Sequence, residues 1–264
     1  MNKRRICIIS STRADYGILS NLIMQLKKRK NFSTKLVVTG AHLSKKFGKT
    51  LKEIKKDRIT IDEKAQIKFD KNNEINIAKS SSEAILEFSR IYKKLNPDLI
   101  IILGDRFEIF CASYCAVIFR IPVCHFHGGE LTLNSYDDYF RHAITKLSSI
   151  HFAATNIYKK RILQMGENLK RVFNIGSIGL ENIHKIKFLE KKDLEKKLKI
   201  KFNKKIVLFT LHPETLKPKE ANKQIDISLN ALGKLKDSSI IITMPNNDLA
   251  SDTINTAIKN FCKN

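Results

Sequence analysis

A doubly wound α/β fold, with a parallel sheet covered on both faces, is what this 264-residue sequence predicts. Three observations carry the prediction. Apolar, β-rich runs alternate with segments of helical periodicity from one end of the chain to the other. The runs are apolar throughout instead of alternating with polar residues, as strands buried on both faces are. Each run is followed by a helix, which is how parallel neighbours are connected.

The elements follow in order. RRICIIS (4–10) leads through Ser10-Ser11-Thr12-Arg13 toward a helix over 16–30. STKLVVT (33–39) is followed by Gly40-Ala41-His42, and a helix over 81–95 precedes DLIIILG (98–104). Gly104-Asp105-Arg106 then opens a helix over 106–120. PVCHFHG (122–128) runs into the polar stretch HFHGGELTLNSYDDYFRHAITKL, whose second half reads as a helix over 136–147. HFAAT (151–155), a helix over 157–165 and RVFNIG (171–176) complete a first domain over 1–178. Residues 179–204, rich in Lys and Glu and without a strand, read as a linker with one exposed helix over 193–198. Alternation restarts with KIVLFTL (205–211), a helix over 222–235 and SIIITMP (239–245), predicting a second α/β domain over 205–264. About 60 residues are fewer than the 100 or more usual for such a unit, so the expectation is a second domain only partly present.

At 42% hydrophobic and 8% aromatic, the chain has enough apolar material for a large core and too much for intrinsic disorder. It contains no run of about eighteen apolar residues, and its start, MNKRRICIISSTRADYG, is soon interrupted by polar residues. A cytoplasmic protein without membrane contact is expected. The five cysteines form an odd set without a CxxC pair, and four lie in apolar segments, which argues against a disulfide framework or a zinc cage. The net charge of +23 comes from lysines spread along most polar stretches, without a dense arm or a nucleic-acid motif. No nucleic-acid partner is expected, although such a field draws in anionic substrates.

Ligands of open parallel sheets bind at the carboxyl ends of the strands, and the unusual polar groups all fall at such ends: Ser10 to Arg13, Gly40 to His42, Gly104 to Arg106, His125 to Glu130, and Leu211 to Glu214. Each has a plain alternative. Asp105 also reads as a helix N-cap, His212 as a structural histidine and Arg13 as a turn residue. His125 and His127, two apart on a strand, would face the same way and suggest a zinc pair. Glu130, Asp137 and Asp138 offer a third ligand, yet no recognised zinc signature is present, and no metal is expected. In the following helix Asp137 and Arg141, like Asp138 and His142, are spaced to pair.

SSTRADYG (10–17), VTGAHLS (38–44), PDLIIILGDRFE (97–108), HFHGGELT (125–132), DDYFRHAITKL (137–147), GENLKRVFNIGS (166–177) and TLHPET (210–215) resemble, in order and spacing, the hydrolysing UDP-N-acetylglucosamine 2-epimerases, and within them the sialic-acid and legionaminic-acid branch. The resemblance runs over essentially the whole chain. It implies two Rossmann-like domains facing a cleft (GT-B-like), the second incomplete, because relatives continue into a Ser/Gly-rich nucleotide loop and an arginine-containing loop. It therefore also implies weak UDP binding by a chain of this length. The implied reaction removes the proton at the second sugar carbon and eliminates UDP to give a 2-acetamidoglycal, which water converts to the free 2-epimeric sugar. No cofactor is implied, the partner is a UDP-sugar, and relatives suggest a homo-oligomer, dimer or tetramer.

Carried over position by position, Asp105 and Asp138, with Asp137 beside it, resemble the acid/base carboxylates. Arg13 and His212 resemble leaving-group contacts, and Arg106, Glu130, Arg141 and His142 line the sugar site or orient other groups. His127 stands where some relatives have a catalytic glutamate. The expected catalytic set is Asp105, His127, Glu130, Asp137, Asp138 and His212, with Arg13, His42, Arg106, Arg141 and His142 binding substrate. Two other function classes compete: an inactive sugar-nucleotide-binding relative, and a glycosyltransferase of similar architecture, which fails because GDRFE and HGGE do not belong to the transferase pattern and fold alone does not decide function.

Overall fold

The computed structural model describes residues 3–44, 50–68, 74–133, 135–183, 186–214, 216–245 and 250–263. The chain divides into two compact units, Met1–Lys185 and Ile186–Asn264.

In the first unit the elements run β1 (Arg4–Ser10), α1 (Arg13–Lys28), β2 (Phe32–Val38), α2 (Leu51–Lys56), β3 (Glu63–Lys64), α3 (Glu74–Leu95), β4 (Leu99–Leu103), α4 (Phe107–Ile118), β5 (Val123–Phe126), α5 (Asp137–Leu147), β6 (Ile150–Ala153), α6 (Asn156–Gln164), β7 (Val172–Asn174) and α7 (Leu180–Ile183). The sheet order is β3-β2-β1-β4-β5-β6-β7, and every pairing is parallel. The chain therefore leaves β1 toward β2 on one side and returns to β4 on the other. The carboxyl ends of β1 and β4 flank the switch point where an open α/β sheet forms its crevice.

The apolar strands are explained by two cores, one on each face. Cys7, Ile9, Val37, Ile100, Ile102 and Val123 pack with Phe88, Ile91 and Tyr92 of α3 and Ile109, Cys111, Ala112 and Cys115 of α4. Their sequence neighbours Ile6, Ile8, Leu36, Val38, Ile101, Leu103 and Cys124 point the other way and pack with Tyr16, Leu19 and Ile23 of α1 and Ile54 of α2. Alternate side chains of a strand leave opposite faces, so a sheet covered twice needs apolar residues at every position. Wholly buried side chains such as Ile8 and Ile100 each contribute about 1.5–3 kcal/mol of apolar transfer.

The second unit holds α8 (Lys191–Leu198), β8 (Lys205–Thr210), α9 (Ala221–Gly233), β9 (Ser238–Thr243) and α10 (Ser251–Phe261). β8 and β9 pair in parallel. Ala221, Ile225, Leu229, Leu232, Ile254 and Ile258 form its core against Val207, Phe209, Ile240 and Ile242, while Ile206 and Leu208 of β8 are exposed. The stretch expected as a linker is divided: α7 is tied to α1 through Asn182 Nδ2 donating to the Gly17 carbonyl and Asn21 Nδ2 donating to Glu181, whereas α8 falls within the second unit. Among the described residues no helix is long and apolar enough to cross a membrane.

Candidate active site

The turn from β1 into α1 is organised by Asp15. Thr12 is the N-cap and Asp15 the third residue of a capping box. Asp15 accepts from the backbone N–H groups of Ser11 at 2.7 Å, Thr12 at 2.8 Å and Tyr16 at 2.7 Å. The hydroxyls of Ser10 and Ser11 also donate to it, each at 2.9 Å. Since the Ser10 proton goes to Asp15, His42 Nε2, 2.9 Å from Ser10 Oγ, is assigned as the donor to that oxygen, and Nδ1 then accepts from Thr50 Oγ1 at 2.7 Å. His42 is wholly buried, and burial holds its pKa below the ordinary histidine range against the pull of Asp15. Both ring nitrogens of His42, which was expected to contact substrate, are engaged within the fold, and the ring braces the turn from inside. Arg13, the first residue of α1, is exposed at this edge.

Beyond β4 and β5, Arg141 of α5 gathers the acids. Its Nη2 donates to Asp105 and, at 3.2 Å, to Thr132 Oγ1, and its Nη1 donates to Glu130 at 3.0 Å. Asp138, three residues before Arg141, lies 4.0 Å from its Nε and accepts from the Thr132 N–H at 2.7 Å. His127 Nδ1 is 2.7 Å from the other oxygen of Glu130. Asp137 accepts from Ser135 Oγ at 2.7 Å in the first turn of α5.

Two corrections follow from this geometry. The N-cap of α4 is Arg106, so Asp105 is not the cap and is committed to Arg141 instead. Strand β5 ends at Phe126, and His127 takes a left-handed backbone with φ 63, so strand alternation no longer relates it to His125. His125 is buried and its Nε2 donates to the Gly104 carbonyl at 2.8 Å, steadying the residue before Asp105. Burial lowers the pKa of His125 to about 3, leaving it neutral.

The carboxyls are tuned differently. Burial raises the pKa of Asp105, outweighing the opposing pull of Arg141 and Arg106. Glu130 feels burial too, but its hydrogen bond and charge interaction with His127, together with Arg141, hold it below the usual range. His142, on α5 near Asp138, is lowered by burial, and its Nδ1 is buried with no hydrogen-bond partner among the described residues. Neighbouring carboxyls pushed in opposite directions suit acid/base work, because one can carry a proton while the other stays ionised. Among the described residues no group of three or more His, Cys, Asp or Glu side chains is arranged to hold a metal ion.

Of the residues expected from sequence, Asp105, His127, Glu130, Asp138 and Arg141 join one network. Arg106 stands beside it, Arg13 lies at the end of the adjoining strand, and His212 follows β8 in the second unit. Residues not expected also appear. Asp15 was legible as a capping box, and Glu108 as a lone acid in the apolar helix FEIFCASYCAVI. Arg161 of α6 donates to the carbonyl of Gly129, whose φ of 76 and closeness to Tyr158, whose carbonyl oxygen would lie 2.5 Å from a Cβ at 129, require glycine; nothing in its local sequence signals that role.

The first unit is a parallel α/β sheet with an acid and arginine cluster past the carboxyl ends of β4 and β5. The sequence model of the UDP-N-acetylglucosamine 2-epimerase family matches residues 24–264, and the chain belongs to that family. It is 44% identical, over all of its length and 68% of the relative's, to the Campylobacter jejuni protein named GDP/UDP-N,N'-diacetylbacillosamine 2-epimerase (hydrolyzing). It is 36% identical to the Escherichia coli polysialic acid biosynthesis protein P7, over 98% of this chain and 66% of that one. The chain thus spans about two thirds of the length of these relatives. Its fold is similar to the crystal structure of UDP-GlcNAc 2-epimerase from Neisseria meningitidis bound to UDP-GlcNAc, with a TM-score of 0.78, 23% identity, and coverage of 97% of this chain and 70% of that one.

Proposed function

We propose that the chain carries the acid/base half of a hydrolysing UDP-sugar 2-epimerase acting on a UDP-N-acetylated sugar. Asp105 carries the reading: a carboxyl beside the switch point, raised by burial yet fixed by Arg141, is suited to take a weakly acidic proton. In the first half Asp105 removes the proton from the second sugar carbon, the bond from the first carbon to UDP breaks, and its electrons leave with the diphosphate. The new carbon–carbon double bond is that of a 2-acetamidoglycal. In the second half the oxygen of a water adds to the first carbon and that water gives up a proton to solvent, while Asp138 delivers one proton to the second carbon from the opposite face. Arg13 is assigned to the departing diphosphate, whose charge needs cations and N–H donors. Residues 205–264 are assigned to the nucleotide-binding domain.

The names of the Campylobacter and Escherichia relatives support a place in nonulosonic acid synthesis, with UDP-N-acetylglucosamine or its 2,4-diacetamido-6-deoxy analogue as substrate. The test is UDP release from both sugars in heavy water. Turnover by this chain is expected to be slow because UDP binding is weak, with the released 2-epimeric sugar carrying deuterium at the second carbon, and Asp105→Asn is expected to reduce that rate by about 10²–10⁴. Release without deuterium, or an active Asp105→Asn, would overturn the assignment.

A further inference from the structure

Glu108 lies in the first turn of α4, among the buried Phe107, Ile109, Cys111 and Ala112 of a helix enclosed on most sides, and its side chain has no exposure. An ionised carboxylate is expensive to bury, and an apolar side chain of similar volume would serve packing better. One of its oxygens, Oε1, accepts from Arg106 Nε at 3.3 Å, while Oε2 is buried with no hydrogen-bond partner among the described residues. The backbone around it is shaped to admit it. Gly40, just past β2, has φ 59, and a Cβ there would lie 2.7 Å from Glu108 Oε1 and 2.8 Å from the Ser11 carbonyl oxygen. Segments following β1, β2 and β4 therefore close around one carboxylate beside Arg106, at the switch point of the sheet.

We propose that Glu108 is a positioning residue that fixes the guanidinium of Arg106 at this edge, so that Arg106 meets the anionic portion of the nucleotide sugar already oriented. The proposal rests on the UDP-sugar reading above. By engaging Nε, Glu108 sets the plane of the guanidinium, and a side chain ordered before binding loses less freedom on binding. Glu108 then acts only through Arg106. Its loss should raise KM and leave the pH dependence of kcat unchanged, because the proton-carrying groups are elsewhere.

The test is a double-mutant cycle on the full chain with Arg106→Ala, Glu108→Ala and the double variant, alongside Glu108→Gln. Thermal melts accompany each variant. KM is read from UDP release, and affinity for inorganic pyrophosphate from calorimetry. The expected result is a weakening of about tenfold or more in each single alanine variant, with the double variant no weaker than Arg106→Ala. Glu108→Gln, which keeps a carbonyl for Nε–H, should recover part of the loss. In the unliganded chain the Arg106 Nε–H nuclear resonance should exchange slowly with water, remain slow in Glu108→Gln and become fast in Glu108→Ala. Additive effects, an unchanged KM in Glu108→Ala, or Nε–H exchange indifferent to residue 108 would overturn the proposal. A wild type that binds pyrophosphate but releases no UDP would sink the epimerase reading while the cycle on pyrophosphate still decides this one. A wild type that binds no pyrophosphate would overturn it.

Discussion

Replacing Arg141 by Met removes the cation shared by Asp105 and Glu130 while retaining a stem of similar length. The Arg141 side chain is 7% exposed, against 22% for Asp105 and 25% for Glu130, so the carboxyls keep some water and the arginine almost none. Breaking a buried pair from one side costs about 3–5 kcal/mol, and the residual exposure of the acids places this case near the lower end. A loss of about 3 kcal/mol corresponds to a fall of roughly 6–12 °C in the melting of a unit this size.

The pH dependence is more discriminating than the size. Asp105 already has a raised pKa, so the folded state binds its proton more tightly than the unfolded chain, and its contribution to stability is lost as pH rises through the folded value. Without Arg141 that pKa rises further, and Glu130 loses one of the two cations that hold it down. The deficit of Arg141→Met should therefore be largest at neutral pH and shrink toward pH 4, as Asp105 and, without Arg141, Glu130 take up protons. Urea and thermal unfolding at both pH values measure it, with Arg141→Lys recovering only part because a single ammonium cannot reproduce the forked contact. A loss below about 1 kcal/mol at neutral pH would refute the claim that the acids depend on one buried cation. So would a loss of equal size at both pH values.

Two other outcomes are expected. With a thiol reagent at mild pH, only Cys262 of the five cysteines should react in the native chain, because Cys7, Cys111, Cys115 and Cys124 are buried and burial pushes Cys111 and Cys124 up to about 12; fast labelling of a second thiol before unfolding would contradict this. Asp15→Ala should cost about 1.5–3 kcal/mol through loss of charge-assisted bonds at the start of α1, measured by denaturant unfolding, and a neutral result would mean water replaces the carboxylate without penalty.

The parallel sheet was legible because burial on both faces writes itself into every strand position, as Ile6 to Ile9 show by alternating between the two cores. Strand ends were less so: β5 stops at Phe126 because His127 turns left-handed, and a histidine at that position carries no local mark of it. Short elements such as α2 and β3 have too few residues to express a period. In the candidate site, residue types and their placement after strands could be read, but partners could not. The spacing in α5 suggested that Asp138 would meet His142, whereas the bond organising the cluster joins Arg141 to Asp105, 36 positions away. Such a pairing belongs to topology, not to any window of sequence.

The role of Asp15 bears on where a diphosphate can be held. In open α/β sheets the helix N-terminus at the switch point is a ready anion site, because its N–H groups lack partners and the helix dipole favours negative charge. Here the Ser11, Thr12 and Tyr16 N–H groups donate to the Asp15 carboxylate, and the Asp15 N–H donates to Thr12 Oγ1 at 3.3 Å. A fixed anion thus already occupies much of the cradle and repels a second. For the proposed ligand, side-chain cations must do what backbone amides do elsewhere, which is why Arg13 and Arg106, at the ends of neighbouring strands, carry that assignment. Salt should weaken such binding strongly if it depends on exposed cations, whereas capture by enclosed amides would be less sensitive.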